Sequence, residues 1–273
     1  MTLTDVKSPT ATAVRRLPLP GPAVLRGLAG LAGLVVVLET LPRTPLVSSD
    51  YLPPASTTAR AFWDLLGENT FWSALGDTLT GWGIGLAIAV VAGAVAGVVI
   101  GSVPLLRAAT ASTIEFLRPI PSVALIPVAV LLYGTDLRSK LLLVVYASFW
   151  QMLVQVLAGL HDVDPVAQDT ARSYRLSAWE RVRFLLWPTA LPYVMTGVRL
   201  SATVALVLSV TAELVIGSPG LGQELAVAQT SGAVPTVYAL VLTTGLVGVA
   251  VNLAARAVER RVLHWHQSQR SGR

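Results

Sequence analysis

An all-α, polytopic membrane fold of about six transmembrane helices, with a charged two-helix loop between the fourth and fifth, is the architecture this sequence predicts. Three observations carry the prediction. The chain of 273 residues is 53% hydrophobic and only 13% charged, where a soluble domain carries about 25% charged residues. Its mean hydropathy is +0.66, and several apolar runs reach the roughly 20 residues that cross a bilayer as a helix. Its basic residues also fall mostly on one side of those runs, the bias that sets membrane orientation.

Residues 1–21 are polar and proline-bearing and read as a disordered tail. Residues 24–41 form a first span. No small-x-small cleavage pattern follows it, so an uncleaved helix is preferred to a secretory signal. Residues 42–75 hold prolines and a weakly amphipathic piece whose Trp63 and Trp72 suit a membrane interface. The second span, 77–101, places Gly81, Gly85, Ala89, Gly93, Gly97 and Gly101 along one face. That small-residue stripe allows close helix approach, and packing within one subunit is the preferred use. A third span, 108–133, contains Pro119, Pro121 and Pro127, which remove backbone donors and break or kink it. Further spans cover 139–160, 191–216 and 236–258. The charged insert occupies 161–190, and GSPGLG at 217–222 makes a turn.

Six spans place both termini on one side. With the termini in the cytoplasm, of the 20 lysines and arginines only Arg43, Arg60, Arg138 and Lys140 lie outside, and Arg118 and Arg199 fall within spans. The remainder are cytoplasmic, so the insert faces the cytoplasm and the basic tail 259–273 is also inside. The net charge of +5 is accounted for by this retention rather than by nucleic acid. The chain has no cysteine, hence no disulfide or thiolate-held metal. His161, His264 and His266 lie at span edges or in the tail, and no metal site is expected.

Within the insert, Asp164-Pro165 is a helix start. Val166, Thr170, Ala171 and Tyr174 share a face, with Gln168, Asp169, Arg172 and Ser173 opposite. Ser177 and Glu180 fit a capping box. After it Trp179, Val182, Leu185 and Leu186 share a face, Glu180, Arg181 and Arg183 point away, and Pro188 and Pro192 bound the end. Helices this short are unstable alone in water. Either lipid covers their apolar faces, with arginines at the headgroups, or a cytoplasmic partner does.

The spacing of this insert resembles the cytoplasmic loop of ABC-importer permease subunits, whose pattern is Glu-Ala-Ala, three residues, Gly, nine residues, Ile, one residue, Leu-Pro. Asp169-Thr170-Ala171 occupies the triplet, Arg175 the glycine position, Leu185 the isoleucine, and Trp187-Pro188 the Leu-Pro. The stretches SVALIPVAVLLYGTDLRSKLLLVVYASFWQMLVQVLAGLHDVDP (122–165) and ALPYVMTGVRLSATVALVLSVTAELVIGSPGLG (190–222) resemble the nitrate/sulfonate/taurine branch. The likeness covers roughly residues 70–260.

The resemblance implies a type I ABC-importer permease fold, with a transmembrane domain over 22–258. It implies a multi-pass subunit of the bacterial inner membrane that forms the translocation path. Its partners would be two cytoplasmic ABC ATPase subunits, a second permease subunit (identical or not), an extracytoplasmic substrate-binding protein and the lipid bilayer, with no nucleic acid. It makes 161–190 a coupling loop, with Asp169, Thr170, Ala171, Tyr174, Arg175, Ser177, Glu180, Val182, Leu185 and Pro188 meeting the ATPase. The substrate implied is a small anionic or sulfonate-like solute. ATP-Mg would sit on the partner, and no cofactor on this chain. The residues agree on one point: Lys7 and Lys140 are the only lysines and neither follows a phosphate-binding glycine loop, so the chain is not itself an ATPase of that kind.

Ionisable groups within spans are costly and usually face a cavity or each other. Glu213, Arg118 and Arg199 are therefore path candidates, with structural pairing as the competing use, and Glu115 stands one turn from Arg118. Two other functional classes also fit a polytopic chain: an ion-coupled secondary carrier, suggested by the broken third span, and a non-transporting scaffold.

Overall fold

The computed structural model describes residues 22–45, 47–48 and 50–263. The expected N-terminal tail, His264, His266 and most of the C-terminal tail lie outside them. Two compact units divide after Ala55. The first contains α1 (Pro22–Thr40), over the expected first span, and a 3-10 turn at Leu41–Arg43. Thr40 returns its hydroxyl to the Val36 carbonyl, and Arg43 pairs with Glu39.

The second unit is built on three long helices: α3 (Asn69–Ser102), α6 (Leu137–His161) and α9 (Trp187–Ile216). Helix α6 lies between the other two. Small residues set both approaches. On α3 the face Gly81, Gly85, Ala89, Gly93 and Gly97 is buried. A Cβ at Gly85 would stand 2.5 Å from Val144, and one at Gly93 2.8 Å from the Met152 Cβ and 3.0 Å from the Phe149 carbonyl. The stripe thus serves packing inside the subunit, as expected. On the other side Gly159 meets Ala190 and Tyr193, and Gly197 meets Met152 and Gln155. Ser148 and Ser201 exchange hydroxyl-to-carbonyl bonds of 3.3 and 2.9 Å across the seam. Each hydroxyl so bonded avoids the cost of an unpaired polar group in an apolar interior.

Before α3, α2 (Ala55–Leu65) carries Trp63, which is exposed. Helix α3 begins eight residues before the expected second span, so the piece with Trp72 is its first turns. After α3 the chain forms α4 (Pro104–Leu117) and α5 (Ile126–Tyr133), bent by 82° across a break. Pro119 and Pro121 lie in the break. Pro127 does not interrupt a helix: it occupies the first turn of α5, where no N–H is needed. Helix α5 joins a core of Ile126, Ala129, Leu143, Val144, Ala205, Leu208, Ala212 and Ile216.

Helices α7 (Pro165–Ser173) and α8 (Ala178–Arg181) make the charged loop. A π turn at Val182–Leu186 follows and runs directly into α9. The second loop helix therefore does not end at Pro188 and Pro192. Pro188 sits in the first turn of α9 and Pro192 inside it, and the helix from Trp179 to Ile216 is 38 residues long. At about 1.5 Å per residue that is roughly 57 Å, well beyond a hydrocarbon core of about 30 Å. Its first turns must stand outside the membrane. Helices α10 (Leu221–Thr230) and α11 (Val234–Val262) complete the unit, and α11 extends into the region expected as tail. Leu221, Ala228, Ala239 and Leu240 bury against Leu65, Phe71 and Ala74 of α2 and α3.

Among the described residues four helices are long and apolar enough to cross a membrane: α3, α6, the α8–α9 rod and α11. The bent α4–α5 pair makes a fifth if its limbs form one span.

The packing of α3 on α6 predicts opposite outcomes at two glycines ten residues apart. Gly93→Val should lower stability by about 1–3 kcal/mol through overpacking. Gly83→Ala, where a Cβ meets nothing within 4 Å, should leave stability unchanged or slightly raised. Thermal unfolding of the purified variants in detergent reads both.

Candidate functional site

The charged loop is specified locally. Asp164 caps α7 by accepting the Val166 N–H at 2.8 Å. The helix ends at Tyr174 in a Schellman motif: the Leu176 N–H reaches the Ala171 carbonyl at 3.0 Å, and the Arg175 N–H reaches the Arg172 carbonyl at 2.9 Å. This motif needs a left-handed residue, and Arg175 takes it with φ 55°, alone among described non-glycine residues. The turn is therefore built as glycine would build it, with arginine bearing the steric cost. Ser177 and Glu180 then close a reciprocal cap. The Glu180 N–H donates to Ser177 Oγ at 3.3 Å, and the Ser177 N–H and hydroxyl donate to Glu180 Oε2 at 2.8 and 2.7 Å.

Among its exposed charged residues the loop presents four large apolar side chains to solvent. Val166, Tyr174, Trp179 and Phe184 are 71%, 80%, 69% and 67% exposed. Phe184 was not anticipated; Arg183 lies over its ring at 5.7 Å. Thr170 is exposed and bonds back to the Val166 carbonyl, and Asp169 pairs with Arg172 at 3.3 Å. The expected faces need correction. On α7, Ala171 is buried while Val166 and Tyr174 point out. On α8, Arg181 does not point away from Val182, Leu185 and Leu186 but lines a crevice with them, as does Gln168 of α7. Ordinary helical spacing supplies the cause: Leu185 follows Arg181 by four residues and Leu186 follows Val182 by four, so each pair shares a face, while Ala171 stands five residues from Val166 and faces elsewhere. Pro188, further along, is half-buried.

At the opposite end of the helices lies a second polar constellation. Glu213 on α9 and Lys140 on α6 form an ion pair of 2.9 Å with side chains 0% and 2% exposed. Lys140 Nζ also donates to the carbonyls of Asp77 and Pro219, each at 3.2 Å. Its three donors are thus all used. Glu213 Oε2 accepts from the Thr78 hydroxyl at 2.8 Å and the Gly222 N–H at 3.1 Å. Thr78 in turn accepts the Leu221 N–H at 2.9 Å. The GSPGLG turn is folded around this carboxylate. A Cβ on Gly220, whose φ is 150°, would fall 2.2 Å from the Glu213 carboxyl carbon.

The three path candidates separate. Glu213 is a structural ion pair whose oxygens are both engaged, and it offers no surface to a solute. Arg199 pairs with Glu259 of α11 at 3.3 Å and is part-buried. Arg118 caps the end of α4 at the break and is exposed; no ion pair joins it to Glu115 among the described residues. The charge bias leaves Lys140 as an exception in an outer loop. It is instead a buried helix residue. That exception was the available signal, since a lysine retained on the wrong side of an apolar segment calls for a partner.

Comparison with known proteins places the chain in a group. Residues 89–264 match the family model described as binding-protein-dependent transport system inner membrane component. The chain is 30% identical over 256 residues to the taurine transport system permease protein TauC of Escherichia coli (strain K12), covering 92% of this chain and 93% of that one. It is 25% identical over 244 residues to the putative aliphatic sulfonates transport permease protein SsuC of Bacillus subtilis (strain 168), covering 89% and 88%. In fold it is similar to a chain of a bacterial ABC transporter involved in the import of the acidic polysaccharide alginate. That match has a TM-score of 0.62 at 15% identity, over 89% of this chain and 94% of the other.

The left-handed arginine yields a local prediction. In Arg175→Gly the strain of roughly 1 kcal/mol is removed, and exchange of the Leu176 amide should slow up to about fivefold. In Arg175→Val, where a β-branched residue is forced to positive φ, it should quicken. Hydrogen–deuterium exchange of the loop measures both.

Proposed function

A member of the binding-protein-dependent transport system inner membrane component family, the chain is a permease subunit of an ABC importer, and we propose that residues 161–190 are its docking and coupling element for a cytoplasmic ATPase subunit. Family membership supersedes the ion-coupled carrier and the scaffold. Importers of this kind work with ATPase and substrate-binding partners. The finer assignments are a pair of these permeases or a heterodimer, two ATPase copies carrying ATP-Mg, and an extracytoplasmic binding protein. Both termini and the loop are assigned to the cytoplasm of a bacterial inner membrane.

One observation carries the reading: a locally capped loop presents Val166, Tyr174, Trp179 and Phe184 to solvent. Aromatic anchors on a capped element are what a partner groove fills. The same loop continues without a break into α9. A displacement imposed at Trp179 is therefore carried along a single helix toward Glu213, and from there to α6 and α3 through the buried pair. ATP-driven closure of the partner would move the wall of the path in this way. The substrate we assign is a small organic sulfonate. Support comes from the taurine permease relative, which matches nearly the whole chain.

Tyr174→Ala and Trp179→Ala should each weaken ATPase retention by roughly thirtyfold, as loss of an interface anchor of about 2 kcal/mol does. Uptake of labelled taurine or another alkane sulfonate should fall with it. Undiminished co-purification and uptake in both variants would contradict the docking assignment. Absence of sulfonate uptake by the wild-type system would remove the substrate class alone.

A further inference from the structure

On its inner side the loop leaves a crevice of about 540 Å³ against the ends of the long helices, lined among others by Ser102 of α3, Leu160 of α6, Gln168 and Arg172 of α7, and Arg181 and Leu185. Its volume is in the range of small-ligand sites. Its polar lining is one-sided. Two guanidiniums, an amide and a hydroxyl contribute, and no carboxylate lines it among the described residues. Arg172 shares one nitrogen with Asp169 at 3.3 Å in an exposed pair. Arg181 Nε is buried and has no hydrogen-bond partner. A buried donor left unpaired next to a second arginine is a costly arrangement unless an anion completes it. Guanidiniums match the oxygens of a phosphate through paired N–H donors.

We propose that this crevice binds a phosphate group, supplied by the headgroup of an anionic phospholipid. The position argues for the lipid. The crevice opens at the ends of the long apolar helices α3 and α6, beside Arg172 and Arg181. Val98 and Val99 at that end of α3 are about half exposed, a surface along which acyl chains can run. Basic pockets at helix ends in that leaflet are suited to anionic headgroups. A headgroup held there touches α3 and α6 on one side and α7 and α8 on the other. It braces the loop at a fixed height over the membrane, on the face opposite the exposed aromatics. Loop position, and with it coupling, then depends on anionic lipid.

The test is native mass spectrometry of the full-length chain from detergent, titrated with phosphatidylglycerol, with phosphatidylcholine, or with inorganic phosphate. Wild type should bind phosphatidylglycerol in preference to phosphatidylcholine. Arg172→Gln/Arg181→Gln should lose roughly thirtyfold in affinity, the worth of two arginines against an anionic surface. Arg172→Lys/Arg181→Lys, which keeps the charge, should retain part of it. Arg183→Gln removes one positive charge from the same loop outside the crevice and should change little. Saturable phosphate binding, lost in the double glutamine variant and without lipid preference, would keep the phosphate site and assign it to the free anion. Equal binding of both lipids with no phosphate binding, or undiminished phosphatidylglycerol binding by a double glutamine variant of unchanged thermal stability, would overturn the proposal.

Discussion

The arrangement of the second unit depends on one buried ion pair. Lys140 and Glu213 bring together α3, α6 and α9, whose contributing residues lie more than 60 positions apart, and the turn that follows α9 before α10. A charged pair removed from water is not by itself favourable, because desolvation can exceed the Coulombic gain. What makes this one tenable is that every donor of the ammonium is used and both carboxylate oxygens are occupied. The partners are largely backbone groups of Asp77, Pro219 and Gly222, so the pair fixes chain path as well as side chains. A well-packed apolar substitute could hold the helices together but would not specify where the glycine turn must lie.

The same logic of local specification holds at the other end. The charged loop owes its shape to three caps that are each complete within a few residues: Asp164, the Schellman turn at Arg175, and the Ser177–Glu180 box. A locally capped loop with exposed aromatic side chains, continuous with a helix of 38 residues, is mechanically suited to transmit motion. The buried pair is where that helix is fastened to its neighbours. Loop, rod and lock thus form one connected path from the arginine-rich face to the far side of the unit.

Much of this was legible in the residues because the governing interactions are local. Asp164-Pro165, Ser177 with Glu180, and the four-residue spacing of Gly81 to Gly101 each determine their own neighbourhood. The frame of the loop motif was legible for the same reason. What escaped was chiefly what depended on distant partners or on how a charged side chain packs. The role of Lys140 required knowing that Glu213 lies beside it, 73 positions away. Arg181 reads as solvent-pointing by its charge, yet it stands four residues before Leu185, shares its face and lines the crevice with it. Pro188 and Pro192 look like boundaries in the sequence, yet one occupies a first turn and the other is accommodated inside a long helix, where membrane helices tolerate proline. Lys140 counts as a marker of topology in the sequence, although its charge is paired with Glu213 inside the protein.

The central claim is that Lys140 and Glu213 act as a coupled pair that fastens α9 to α6 and α3. A double-mutant cycle with Lys140→Met, Glu213→Leu and the combined variant, read by thermal unfolding of the purified chain, tests it directly. Each single change leaves one buried charge without its partner and should cost about 3–5 kcal/mol, whereas the double change should cost clearly less than the sum of the two. Additive losses, with the double variant as destabilised as both singles together, would contradict the account.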